Sequence, residues 1–260
     1  MNGTLNSLFH PDPVKSTQMK KITLISLLFV LSINVHSQLR LDLETGLPFQ
    51  GYNEVRIPNQ EGTLFDFNRN FELQGPVVPI RLSLGFTFGE RNHISGLFAP
   101  LTLNYEGAAP FDIQFENTLF PQAEFIEGLY RFNSYRLTYR RDLLLSDRWT
   151  IGLGLTAKIR DARVRLVSDQ LIDQKDDLGF VPLLNILLSY KTERWTAFLT
   201  GDGLAAAQGR AFDFFLGAGI PVTNRLSVKT GYRVLEGGAD VEEVYNFTLV
   251  HFAVVGLIWN

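Results

Sequence analysis

Cysteine is absent from all 260 residues. That excludes disulfides, thiolate chemistry and a lipid-modified cysteine anchor, and it leaves packing and strand pairing to supply stability. Long apolar runs are missing too: beyond Val35 no segment reaches the roughly 20 residues that a spanning helix needs. Excess positive charge is also lacking, with 24 Lys and Arg against 27 Asp and Glu. Such a balance argues against nucleic acid as a partner. Histidine is sparse, and His10, His36, His93 and His251 show no ligand spacing, so neither a metal nor another cofactor is expected. The glycine-containing turns at Asp202–Ala205 and Glu236–Asp240 lack the strand-to-helix setting of a phosphate-cradling loop.

Apolar residues cluster once, near the start. Met19-Lys20-Lys21, the run Ile22 to Val35, and His36-Ser37 before Gln38 form the basic, apolar and small-residue parts of a secretory signal peptide, with cleavage after Ser37. A signal anchor fits less well because the apolar run is short. Residues 1–18 read as an upstream start-site extension, 19–37 as the signal peptide and 38–260 as a single domain. Cleavage would remove three lysines and one aspartate, leaving a net charge of −5. An exported chain without a membrane helix is either soluble or a barrel.

The remainder alternates with a period of two, as strands do. In the closing hairpin, Leu226, Val228, Thr230, Tyr232 and Val234 share one face, and Ser227, Lys229, Gly231 and Arg233 the other. Similar alternation marks Leu39–Glu44, Ile80–Phe88, His93–Tyr105, Phe125–Arg141, Phe180–Tyr190, Trp195–Asp202 and Ala211–Ile220. From Trp149, Ile151, Leu153, Leu155, Ala157 and Ile159 face one way, and Gly152, Gly154, Thr156, Lys158 and Arg160 the other. Beyond Asp161 the polar parity slips, which predicts a bulge near 161–162. Within 48–76, Gly51–Ile57 and Thr63–Phe67 form a possible hairpin.

The connections alternate in length. Gly89–Asn92, Leu145–Arg148, Lys191–Arg194 and Val222–Arg225 are short, whereas 48–76, 106–122, 167–179, 203–210 and 236–244 are long. Tight turns at one end and extended loops at the other are the pattern of an outer-membrane barrel. The fold class predicted is therefore all-β: a closed, antiparallel, up-and-down transmembrane β-barrel of ten strands, eight being the second choice, with both termini periplasmic. A soluble barrel is the alternative, but its Lys and Arg faces would then lie in solvent. The 21 phenylalanines suit membrane-interface girdles.

The chain resembles small bacterial outer-membrane β-barrel proteins on its signal peptide, its turn-and-loop alternation and a last strand ending in Trp259. That class usually finishes on the aromatic residue itself, and here Asn260 follows it. The resemblance implies a monomer whose partners are outer-membrane lipid and lipopolysaccharide, and the barrel insertion machinery during biogenesis.

Arg40, Asp42, Glu44, Arg81, Arg136, Arg140, Lys158, Arg160, Asp202, Asp213, Lys229 and Arg233 fall on or near the polar parity. They predict either an interior lattice of ion pairs that plugs the barrel or a charged constriction for small polar solutes, with anions favoured by eight cations to four anions. An acyl hydrolase is the reading from a different class. His93-Ile-Ser95 with Glu106 resembles the His-x-Ser plus Glu arrangement of outer-membrane lipid A deacylases. Parity places Glu106 opposite Ser95, and His93 follows a short turn, away from the outer leaflet. Omptin proteases are also ten-stranded, but no His-Asp pair stands in the long loops to match them. Asp173, Asp176 and Asp177, with Asp240, Glu242 and Glu243, read as loop carboxylates that are either solvated or bridged by a divalent cation.

Overall fold

A computed structural model describes residues 38–260; the expected start-site extension and signal peptide, 1–37, lie outside the described residues. The chain enters the wall with β1 (Gln38–Arg56) and leaves it for an inserted segment holding β2 (Phe65–Asp66), α1 (Phe67–Asn70) and β3 (Glu72–Leu73). It then follows β4 (Arg81–Phe88) and β5 (Asn92–Ala99), which β6 (Thr102–Ala108) continues beyond Pro100-Leu101. A small hairpin, β7 (Ile113–Phe115) and β8 (Thr118–Phe120), precedes β9 (Phe125–Leu145), β10 (Trp149–Val167), β11 (Ile172–Lys191), β12 (Thr196–Ala206), β13 (Gly209–Pro221), β14 (Leu226–Val241) and β15 (Val244–Trp259). Each wall strand pairs antiparallel with its sequence neighbour, and β1 pairs with β15 from Leu41↔Trp259 to Arg56↔Tyr245. With β5 and β6 as one strand, these pairings make a closed ten-stranded barrel, and closure removes the long exposed edges that an open sheet would leave.

Side-chain direction decides what kind of barrel this is. Phe86, Leu153 and Val228 point outward and are 41%, 48% and 36% exposed, whereas Lys158 and Lys229 point inward and are 2% and 3% exposed. A water-soluble barrel would reverse that arrangement. The outward band is apolar and meets hydrocarbon, and Trp149, Tyr190 and Trp195 pack as tilted rings at its lower rim, with centroids 4.7 and 5.9 Å apart. Aromatic girdles occupy this position in membrane barrels.

Three of the four short turns are closed in the same way. The hydroxyls of Ser146, Thr192 and Thr223 each accept a hydrogen bond from the backbone N–H three residues on, at Trp149, Trp195 and Leu226, all at 3.0 Å. Such local side-chain bonds compete with the strand ladder and end it. The remaining turn uses Gly89 and Glu90, both in the left-handed region at φ 55° and 61°, as a tight hairpin requires.

Two expectations need correction. No bulge occurs at 161–162: β10 stays in register with β11 from Trp149↔Tyr190 to Val167↔Ile172, and its shift against β9 lies at Ile151/Gly152. The parity never slips; the chemistry inverts. Above Arg160 the inward residues are Val164 and Leu166, 6% and 0% exposed, while Asp161 and Arg163 face outward. Past the lipid band the outside meets water and the inside becomes a hydrophobic core. The long connections at 167–179, 203–210 and 236–244 are likewise mostly strand, with only short turns beyond Val167, Ala206 and Val241.

That upper core is built by the inserted segment. Phe65, Phe67 and Phe71 fold back into the barrel mouth, where Phe67 stacks on Tyr105 with centroids 4.7 Å apart. Asp66 caps α1 by accepting from Asn68 N at 2.9 Å and also accepts from Asn53 N of β1 at 3.0 Å, tying the insert to the wall. Room for the ring comes from Gly128 on β9, where an added Cβ would lie 2.4 Å from Phe67 Cε1.

Candidate functional site

At mid-height the lumen is crossed by a charged septum. Glu44 on β1 accepts from Arg233 Nε at 2.6 Å and from Lys229 Nζ at 2.9 Å, both on β14. Arg233 Nη1 reaches Asp213 on β13 at 2.5 Å, and Asp213 also accepts from Arg136 Nη2 on β9 at 2.6 Å and Arg81 Nη2 on β4 at 2.8 Å. Arg136 Nη1 continues to Asp202 on β12 at 2.7 Å, which accepts in turn from Thr156 and Asn185. Asp42 joins through Lys229 at 2.5 Å. Six strands are thus bridged across the lumen by groups that are mostly buried.

Buried ions are tolerated only when their partners replace lost hydration. Here each anion meets two or more cationic or polar donors, and the fork of Arg136 serves two carboxylates at once, which a lysine point charge does less well. The alternation of the strands supplies the geometry: Arg136, Lys229 and Arg233 lie on inward parities of β9 and β14, and the register of the pairs brings their levels together.

The four remaining residues of the sequence-derived charge set lie to either side. Arg40 is 3.9 Å from Asp42, and Arg140 is 3.3 Å from Asp142. Arg160 pairs with Asp177. Lys158 forms no ion pair among the described residues; its Nζ lies 4.7 Å from the Phe132 ring centroid. Asp142 and Asp177 are partners that the sequence pattern hides, because Asp142 follows two arginines near a turn and Asp177 stands in a stretch with the composition of a loop. Their inward parity on β9 and β11 was the signal available.

Two cavities flank the septum and share no lining residue. The lower one, about 490 Å³, opens among the short turns and Asn260; the upper one, about 450 Å³, lies under the mouth and is bordered by Tyr130, Phe132 and Lys158.

The His-x-Ser arrangement does not assemble with its carboxylate. His93 Nε2 lies 2.7 Å from Asp142 Oδ2 and Nδ1 2.9 Å from Thr87 Oγ1, so neither nitrogen is left for Ser95. Glu106 pairs opposite Glu127 and His93 opposite Arg140 along β9, a separation of roughly 40 Å at the rise of a strand. The loop carboxylates are also engaged elsewhere. Asp173 accepts from Thr118 at 2.9 Å, Asp176 from Arg163 at 2.5 Å, and Asp240 from Asn59 at 2.8 Å. No metal-ligating cluster is found among the described residues. Outside the lipid band, Lys175 at the upper rim is held above its ordinary pKa of 10.5 by its bond to Glu116, 3.0 Å away.

Closed wall, outward apolar band and filled lumen define a small outer-membrane-type β-barrel protein. No family model matches the chain, and no curated protein sequence does either. Among solved structures it is similar to the outer-membrane protease OmpT of Escherichia coli, at 12% identity and a TM-score of 0.52, over 87% of this chain and 97% of that one. The translocator domain of the autotransporter NalP from Neisseria meningitidis aligns at 14% identity and a TM-score of 0.45, over 94% and 96%. At such identity the likeness to OmpT concerns the fold alone.

Proposed function

We propose that this is an outer-membrane barrel closed at its waist, a structural element of that membrane and not an open diffusion pore. The observation behind this is the unbroken chain of ion pairs Glu44–Arg233–Asp213–Arg136–Asp202 across the lumen. Strand pairing alone would keep the wall closed, and an empty lumen would not require such a chain. In this reading the termini and short turns face the periplasm, the apolar band contacts outer-membrane lipid and lipopolysaccharide, the insertion machinery delivers the chain, and the protein works as a monomer.

Planar-bilayer recording tests it. The intact protein should give no steady current, and the triple variant Phe67→Ala/Arg136→Ala/Arg233→Ala, folded by heat-dependent gel mobility, should conduct. A stable ohmic current from the intact protein would sink the proposal.

The narrow passage for small polar solutes is the second reading, favoured by the two cavities that approach the septum from opposite sides. The cation excess that suggested anion selectivity is halved by Asp142 and Asp177, to eight cations against six anions, so any current should show only a weak preference for anions. An acyl hydrolase finds no support in the placement of His93, Ser95 and Glu106.

A further inference from the structure

The wall has an open seam. β11 pairs with β10 along its whole length, but with β12 only from Leu184↔Gly203 to Lys191↔Thr196. Among the described residues, the other edge of 172–183 therefore runs without a strand beside it, and Pro182 stands in that edge, where a missing N–H is tolerated. Outward-facing Phe180, opposite Ile159 at the top of the apolar band, is 65% exposed, so the foot of the seam lies where apolar residues still meet the bilayer.

Behind the seam lies the upper cavity, bordered on one bank by Val181 and Pro182 and on the other by Leu204 and Ala206. Its volume, about 450 Å³, falls in the range of small-molecule sites. Tyr130, Phe132 and Val164 supply an apolar part of its wall, beside charged groups that include the Arg160–Asp177 pair, and at its depth stands Lys158, 2% exposed and without a hydrogen bond or ion pair among the described residues. Every septum cation has a carboxylate; this one has only the face of Phe132. An enclosed ammonium without an anion is costly, and an anion arriving from outside relieves that cost.

We propose that this cavity binds a single-chain amphiphile with an anionic headgroup, admitted from the bilayer through the β11–β12 seam. The headgroup meets Lys158 and the chain lies against Phe132 and Val164, running back toward the lipid. The inference stands on the seam and the lone cation and does not depend on whether the septum conducts.

The test uses the protein in zwitterionic-lipid nanodiscs, with protein-free discs as background. Dodecanoate is titrated in one arm, dodecanoyl lysophosphatidate in a second and neutral dodecanol in a third. Saturable one-to-one binding of at least one anion is expected, with dodecanol about tenfold weaker or worse. The anion that binds distinguishes a free fatty acid from a membrane phospholipid as the source. Lys158→Met should weaken anion binding by about tenfold or more, and Lys158→Arg should retain it. Ala162→Phe, which fills the cavity from the inward face of β10, should abolish binding while the barrel still shows folded gel mobility. No anion binding, equal binding of dodecanol, or unchanged affinity in Lys158→Met would overturn the proposal. If Lys158→Met does not fold, unchanged binding by Ala162→Phe overturns it.

Discussion

Arg136 shows how a residue chosen for charge becomes a structural joint. Its side chain is 2% exposed and holds Asp202 and Asp213 at 2.7 and 2.6 Å, so Arg136→Ala would strand two buried carboxylates. A loss of about 3–5 kcal/mol is expected, read as earlier loss of the compact band when samples are heated before electrophoresis. Converting Arg136, Asp202 and Asp213 together to apolar residues of similar size should cost far less, because no ion is then left alone. Gly128 is set by size instead. Gly128→Val would put a branched side chain where Phe67 now sits, and overpacking of this kind costs about 1–3 kcal/mol. Proteolysis at 57–80, faster in the variant than in the parent, would reveal the displaced insert; an unchanged cleavage rate would show that the ring has another place to go. At the rim, Lys175 has a raised pKa, so its bond to Glu116 contributes fully below pH 10.5 and is lost as pH rises through the higher folded value. Amide exchange in β7–β8, corrected for its intrinsic pH dependence, should accelerate above that point, and Lys175→Met should remove the step.

Among the elements, β11 is the least symmetric. One edge is paired for its full length and the other only below Leu184, so its upper half has neighbours on one side. Hydrogen exchange should therefore be faster at alternate amides of 172–183 than across 151–166 of β10, which is paired on both edges. Uniform protection of both stretches would mean that another group closes the seam. β10 illustrates a different point. Its inward face changes from Lys158 and Arg160 to Val164 and Leu166 with no change in register, because the medium outside changes from lipid to water. The change of polarity along β10 marks the edge of the membrane band and not a shift of strand.

For the whole molecule, two plugs of opposite chemistry fill one lumen. Ion pairs close the waist, and an aromatic insert of Phe65, Phe67 and Phe71 closes the mouth. Removing either should leave the other in place, so Phe67→Ala should lower stability by about 3–5 kcal/mol while the bilayer current of the protein stays at zero. A current in Phe67→Ala would mean that the septum alone does not seal the barrel.

The class of fold is legible in the order of residues alone. A period of two, short turns alternating with long connections, and inward lysines opposite outward leucines leave a lipid-facing barrel as the arrangement in which the apolar faces are covered and the ions enclosed. The polar parity of the twelve charged positions is also legible there, because the direction of a side chain is local to each strand. Which carboxylate meets which guanidinium, the recruitment of Asp142 and Asp177, the insertion of Phe67 beside Gly128, and the seam that leaves Lys158 unpaired were decided only in three dimensions. They depend on the register between strands far apart in the chain, and alternation along a single strand carries no record of the level at which its neighbour stands.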